Sequence, residues 1–319
     1  MILCTGSTGF VGSALASRLV GEGEQVVTIV RDRTGRPAPH GVIVVEGDIC
    51  NGDLVQRVLA EYAVETIYHL ASQSIVRACA EDPIAAFEVN VMGMLRILQA
   101  VRQAKRTITT VVSSSDKAYG HAPAPYVEST PFRPLGVYDN SKAAQDNAAL
   151  MYHHEWGLDV RVVRAVNIYG PGDPNRSRLV PNTIRRLLEG KLPEVARGAG
   201  NMRRQWLYVN DAVEAFLTVC ELGAPGNAYV VGGPDDPKSV LEIIHLIAAQ
   251  FELVLGPPAE ADGRGREIEE QWVNDTKLRG LGWKPHVNLA EGLRCTIAAQ
   301  RAVQPPAGAS APRPFGGLG

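Results

Sequence analysis

Short runs of aliphatic and β-branched residues alternate, along the first half of the chain, with segments whose apolar positions recur every three to four residues. The runs predict strands near residues 1–5, 25–31, 42–46, 66–70 and 108–113, and the periodic segments predict helices near 11–21, 52–62 and 84–104. Val42-Ile43-Val44-Val45 and Thr110-Val111-Val112 are near-continuous apolar or β-branched runs, as strands buried on both faces require. Strand and helix in alternation predict parallel βαβ units, hence an α/β fold with a doubly wound parallel sheet covered by helices on both sides.

After about residue 170 the pattern loosens. Gly170-Pro171-Gly172 punctuates the chain, and helices are predicted near 179–189, 211–222, 239–252 and 288–302. Strands near 160–166 and 228–231 read as returning to the main sheet. The expected division is a larger domain over 1–170, a smaller one mainly over 171–302, and a Pro-, Gly- and Ala-rich tail over 303–319 that lacks the periodicity to order itself.

Composition narrows the function classes. With 32 basic against 34 acidic residues in 319, the net charge of −2 offers no field for a polyanion, so nucleic acid is not an expected partner. The five cysteines, Cys4, Cys50, Cys79, Cys220 and Cys295, form neither a disulfide framework nor a Cys-x-x-Cys metal motif, which fits the cytoplasm. His121, His153 and His154 make no ligand spacing with nearby carboxylates, so no metal is expected. The apolar start at Met1-Ile2-Leu3 lacks the plan of a secretory leader, and no uninterrupted apolar run approaches the roughly 18 to 20 residues of a membrane span.

Gly6-Ser7-Thr8-Gly9-Phe10-Val11-Gly12 follows the first strand and opens the first helix. Glycine at positions 6 and 9 lets the backbone approach a pyrophosphate, Gly12 lets helix and strand pack closely, and the helix N-terminus faces the anion. Asp32, ending the second strand, is placed to take ribose hydroxyls, which favours NAD; its neighbours Arg31 and Arg33 could instead pair with the extra phosphate of NADP. Asp48 reads equally as an acceptor for the adenine amine or as a helix N-cap. Tyr138 and Lys142 stand four residues apart on a predicted helix, and so on one face. A nearby cation, together with an oxidised nicotinamide, would lower the tyrosine's pKa toward that of a general base.

With these motifs the chain resembles the extended short-chain dehydrogenase/reductase family, in its nucleotide-sugar epimerase/dehydratase branch. Tyr68-His69-Leu70-Ala71, Asn167-Ile168-Tyr169-Gly170-Pro171-Gly172, Arg204-Gln205-Trp206-Leu207-Tyr208-Val209-Asn210-Asp211 and Leu281-Gly282-Trp283-Lys284-Pro285 extend the resemblance over nearly all of residues 1–300. It implies that the first domain is of the Rossmann type and binds NAD or NADP. The cofactor-binding positions are Gly6, Thr8, Gly9, Phe10, Val11, Gly12, Arg31, Asp32, Arg33, Asp48, Ile49, Leu70, Ala71, Ser72, Tyr138 and Lys142. A nucleotide-diphosphate sugar is the implied partner, held by Ser115, Asn167, Arg178, Arg204 and Arg266. A homodimer joined through helices 84–104 and 138–156 is also implied.

Val112-Ser113-Ser114-Ser115-Asp116-Lys117 discriminates within the family. By resemblance Ser115 holds the sugar hydroxyl being oxidised, and the next two positions separate activities. Simple 4-epimerases lack an acid/base pair there, dTDP-glucose 4,6-dehydratases carry Asp-Glu, and Asp116-Lys117 is similar to CDP-glucose and UDP-N-acetylglucosamine 4,6-dehydratases. The expected activity is therefore a nucleotide-sugar 4,6-dehydratase, with a 4-epimerase as the alternative and a noncatalytic dinucleotide sensor as a third reading. Asp116 is the implied acid for the departing hydroxyl, and Lys117 stands where the other subgroup has its carboxylate base. Gln205 and Trp206 depart from the family's usual Arg-Asp-Phe.

Overall fold

The structure is a computed structural model, and it describes residues 1–32, 35–261 and 268–303. Seven parallel strands form the central sheet: β1 (Ile2–Thr5), β2 (Val26–Val30), β3 (Ile43–Glu46), β4 (Thr66–His69), β5 (Thr109–Ser115), β6 (Val160–Ala165) and β7 (Ala228–Val231). Their order is β7-β6-β5-β4-β1-β2-β3. The chain therefore runs outward from β1 in one direction and restarts at β4 on its other side. The crevice beyond the carboxyl ends of β1 and β4 is the switch point where open α/β sheets take their ligands.

Helices cover both faces because the inner strands are apolar on both; the edge strand β3 is less covered, with Ile43 40% exposed. α1 (Phe10–Gly21) and α6 (Val209–Leu222) share one core with Leu15, Leu19, Val213 and Phe216. α2 (Gly52–Glu61) and α3 (Pro83–Gln103) cover the other with Val55, Val58, Ile97 and Val101. α4 (Val137–Trp156) packs beside α3, joining Ala149 and Tyr152 to Met94 and Leu98. A separate core gathers α5 (Leu179–Leu188), α7 (Val240–Ala249) and α8 (Leu289–Val303) around Ile184, Ile243, Ile247 and Leu293.

One difference from the sequence reading has a local cause. The predicted helix over 84–104 begins at Pro83, where Asp82 accepts from the Ala85 N–H at 3.0 Å, and it is broken by a π-helical turn at Glu88–Gly93. By length and average composition α3 is apolar enough to cross a membrane. Glu88, Arg96 and Arg102 interrupt the apolar run in sequence but leave the average high, and the helix serves here as a partly buried core helix.

One buried ion pair ties α4 to β6. Arg164 Nε and Nη2 donate to the two Asp146 oxygens at 2.8 and 2.7 Å, while Nη1 donates to Tyr119 Oη and to the Glu128 carbonyl. The two side chains are 5% and 0% exposed. Removing one partner strands the other charge, so Arg164→Met is expected to destabilise the protein by about 3–5 kcal/mol in urea unfolding. Arg164→Met combined with Asp146→Leu should recover much of that loss; a double variant no more stable than the single one would contradict this explanation.

Candidate active site

The glycine turn sits at the switch point. Gly6 has φ +75, and a Cβ there would lie 2.7 Å from both the Leu70 carbonyl carbon and the Ala71 nitrogen. The constraint on Gly6 thus comes from the end of β4, not only from an approaching pyrophosphate. A Cβ at Gly12 would lie 2.2 Å from the Gly6 oxygen, whereas at Gly9 the nearest atom is that same oxygen at 3.1 Å. α1 has no side-chain cap and no acid in its first turn, so its N-terminus is left to an anion. This cradle fits a dinucleotide pyrophosphate.

The other expected cofactor residues divide by exposure. Thr8, Val11, Leu70, Ala71 and Ser72 are half-buried around the turn, and Arg31 and Asp32 are exposed beyond β2. Phe10 is 8% and Ile49 6% exposed, so their side chains belong to the core and only backbone remains for a ligand. Asp48 accepts from the Cys50 N–H at 2.8 Å, and the cap of α2 is Asn51, which accepts from the Leu54 N–H at 3.1 Å. The N-cap reading of Asp48 is corrected accordingly. Arg33 and Arg266, and the tail over 304–319, lie outside the described residues.

The reactive side chains converge from the ends of β5 and α4. Ser115 ends β5, its hydroxyl accepting from the Lys117 N–H and donating to Asp116 Oδ1, each at 3.2 Å. Asp116 and Lys117 lie on the short 3₁₀ turn Asp116–Tyr119. Asp116 is 2% exposed, and burial pushes its carboxyl up to about 6, against the downward pull of Gln271, Lys117, Ser115 and Arg204. Its Oδ2 has no well-aligned hydrogen-bond partner among the described residues.

Tyr138 lies in the first turn of α4. Burial pushes its phenol up to about 12, while a hydrogen bond with Ser115 and the charge of Arg178 pull it down. This direction is opposite to the one expected from a Lys142 neighbour. The Lys142 ammonium is turned into the core, donating to the Ser113 carbonyl at 2.7 Å and to Gln145 Oε1 at 2.5 Å. Burial draws it down to about 8, opposed by Asp146 and Cys79. Arg178, at the cap of α5, pairs with Asp173 at 3.2 Å.

Arg204 and Asn167 come from short strands in the second half of the chain. Arg204 is 8% exposed and donates to the Arg203 and Glu269 carbonyls at 2.9 and 3.2 Å. Asn167 pairs in register with Trp206, and both Asn167 Nδ2 and Trp206 Nε1 are buried without a partner among the described residues. Gln205, the departure from the family pattern, bridges the Gly233 carbonyl and the Val273 N–H, both at 3.2 Å. Its amide is spent on joining these segments.

Sequence reading missed three contributors. Asn90, fully buried in the π turn, accepts from Ser72 Oγ and the Gln73 N–H and donates to Ser141 Oγ, thereby linking the β4 loop to α4. A polar residue inside an apolar helical pattern was the available signal. His69 shares a 2.9 Å hydrogen bond with Thr5 and is driven down to about 3 by burial and by Lys142, so it is neutral. Gln271 is brought to Asp116 by long-range strand pairing, which local pattern does not reveal. Among the described residues no cluster of His, Cys, Asp and Glu could hold a metal.

Comparison with known proteins gives one family. The model of the NAD dependent epimerase/dehydratase family matches residues 2–232. A dTDP-glucose 4,6-dehydratase of Xanthomonas campestris pv. campestris is 31% identical over 92% of this chain and 91% of its own length. The crystal structure of a Thermotoga maritima UDP-glucose 4-epimerase with UDP-glucose superposes with a TM-score of 0.88 at 26% identity, covering 95% of this chain and 99% of that one. A Bacillus anthracis dTDP-glucose 4,6-dehydratase in complex with NAD gives 0.85 at 26% identity, over 94% and 96% of the two chains.

Proposed function

The chain belongs to the NAD dependent epimerase/dehydratase family, and from that premise we propose that it is a nucleotide-diphosphate-sugar 4,6-dehydratase. The observation that carries this reading is Asp116, a 2% exposed carboxyl next to Ser115 that burial holds up to about 6. A protonated carboxyl beside the sugar site is what departure of a C6 hydroxyl requires, and a 4-epimerase has no step for it.

NAD is the dinucleotide, with Gly6, Gly9, Gly12 and the N-terminus of α1 as its pyrophosphate cradle and Asp32 toward the ribose. When bound, it supplies a positive charge and a reversible hydride acceptor for a reaction with no net redox change. The residues of the chain manage protons and position. Ser115 orients O4 of the sugar, and Tyr138 takes the O4 proton as C4 becomes a ketone. Lys142, through the Ser113 carbonyl, braces the end of β5 that carries Ser115. The ketone makes the C5 hydrogen acidic. Lys117 stands where that proton is taken, while Asp116 protonates the C6 hydroxyl, which leaves as water. After reduction at C6, the proton held by Lys117 returns to C5 to give the 4-keto-6-deoxy sugar, and the proton that Tyr138 took from O4 is released to solvent as Asp116 regains the one it gave. Atoms balance with the loss of one water.

Asn167, Arg178 and Arg204 hold the diphosphate and nucleoside. The enzyme is a cytoplasmic homodimer in this reading: its five cysteines are unpaired, and Ile84, Met151 and Trp156 on α3 and α4 are 75%, 40% and 42% exposed. Epimerisation at C4 is the second reading, favoured by the likeness to the Thermotoga maritima enzyme. It would use Tyr138 and Ser115 alike but leave Asp116 idle. The deciding experiment is incubation with NAD and, separately, the dTDP-, UDP-, CDP- and GDP-hexoses. One of them should yield a product lighter by one water; a product of unchanged mass would point to epimerisation.

A further inference from the structure

We infer that Gln271 is a positioning residue for Asp116, its side-chain amide receiving the carboxyl both before and after the proton is given up. The inference rests on the dehydratase reading for the use to which that proton is put.

Gln271 is fully buried, which for a primary amide demands partners. Yet neither its Nε2 nor its Oε1 has a well-aligned partner among the described residues, and the same holds for Asp116 Oδ2 beside it. Three unmatched polar atoms therefore meet at one buried spot, a donor and two acceptors. The backbone that presents Gln271 is fixed. Gln271 pairs in register with Arg204, and its carbonyl accepts from the Gln205 N–H at 3.2 Å. Tyr126 grips both neighbours, its hydroxyl donating to the Glu270 carbonyl at 3.1 Å and its N–H to the Trp272 carbonyl at 2.9 Å. The same hydroxyl lies 3.0 Å from the Gly120 carbonyl, at the end of the turn that carries Asp116.

The chemistry explains why an amide suits this place. A protonated carboxyl donates and an ionised one only accepts, and a glutamine can answer either by presenting Oε1 or Nε2. A leucine could fill the volume, but it would offer no donor to Oδ2 of the ionised acid. The other groups facing Asp116 are Ser115 on β5, Lys117 on its own turn, Arg204 on the paired strand, Tyr126 after the turn and Tyr138 on α4. Lys117 and Arg204 can only donate, whereas the Gln271 amide can donate or accept without a change of charge.

The test uses ¹⁵N-labelled protein holding NAD. The Gln271 side-chain amide resonance is identified by its disappearance in Gln271→Leu, or in Gln271→Asn should the leucine variant not fold. It should shift with pH as Asp116 titrates and should stop titrating in Asp116→Asn. Gln271→Leu should also lower kcat for dehydration by up to about 100-fold with KM little changed, and move the alkaline fall of the rate to higher pH, because a donor to the ionised acid is gone. An amide that does not titrate in an active dehydratase overturns the inference alone. A titrating amide in a protein that dehydrates no sugar nucleotide supports the contact between the two residues and overturns the functional reading instead.

Discussion

Tyr138→Phe is expected to stop the reaction at its first step, lowering turnover of the sugar nucleotide by about 10²- to 10⁴-fold. In the proposed mechanism the phenol removes the O4 proton, and neither neighbour replaces it: Ser115 is a weak base, and Lys142 is committed to the Ser113 carbonyl and Gln145. Alone, the phenol is held up at about 12 by burial, so it needs the positive charge of bound NAD before it can work near neutral pH. The substitution deletes one oxygen whose protein contact is Ser115, leaving the ring in place, so thermal stability should be nearly unchanged and sugar-nucleotide binding retained. No spectroscopic sign of NAD reduction should follow substrate addition. Turnover equal to that of the unaltered protein would remove Tyr138 from the chemistry.

Asp116→Asn is expected to act later and differently. An amide cannot give a proton to the departing hydroxyl, so dehydration should also fall by about 10²- to 10⁴-fold. Oxidation at C4 needs only Tyr138 and Ser115 and should survive. Substrate addition should then produce near-ultraviolet absorbance of reduced nicotinamide that persists instead of vanishing. The pH dependence follows the same logic. In the proposed mechanism Asp116 acts in its protonated form, which is full below and lost above its value of about 6. Dehydration by the unaltered protein should therefore decline on the alkaline side of that value, and C4 oxidation by Asp116→Asn should lack that decline. If the variant dehydrated at the normal rate, the acid would have to be sought elsewhere.

Much of this architecture was legible because local chemistry and global fold agree. β1, the glycine turn and α1 form one continuous signal, and α4 is bounded by Gly136 at its N-cap and by Gly157 in the left-handed region, φ +67. What escaped was set by contacts distant in sequence. The π turn at Glu88–Gly93 has no signature in a periodicity of three to four residues, so the position of Asn90 against Ser72 and Ser141 could not be read. Asp48 and Asn51 are equally good caps by residue type, and only the Leu54 N–H distinguishes them. The Tyr138 and Lys142 pair was correctly placed on one helix. Spacing alone, however, does not say that the ammonium turns toward Ser113 or that Arg178, from α5, is the first charge to oppose the burial of the phenol. Gln271 is the extreme case, since its neighbourhood depends on a parallel pairing with Arg204 across 67 positions of chain (271 − 204).

The most direct test of dehydration is the reaction run in deuterated water with NAD and the sugar nucleotide that the protein consumes. Removal and return of the C5 proton should leave a product lighter by one water and carrying a solvent deuteron at C5. A product of unchanged mass, inverted at C4 and free of deuterium at C5, would contradict it.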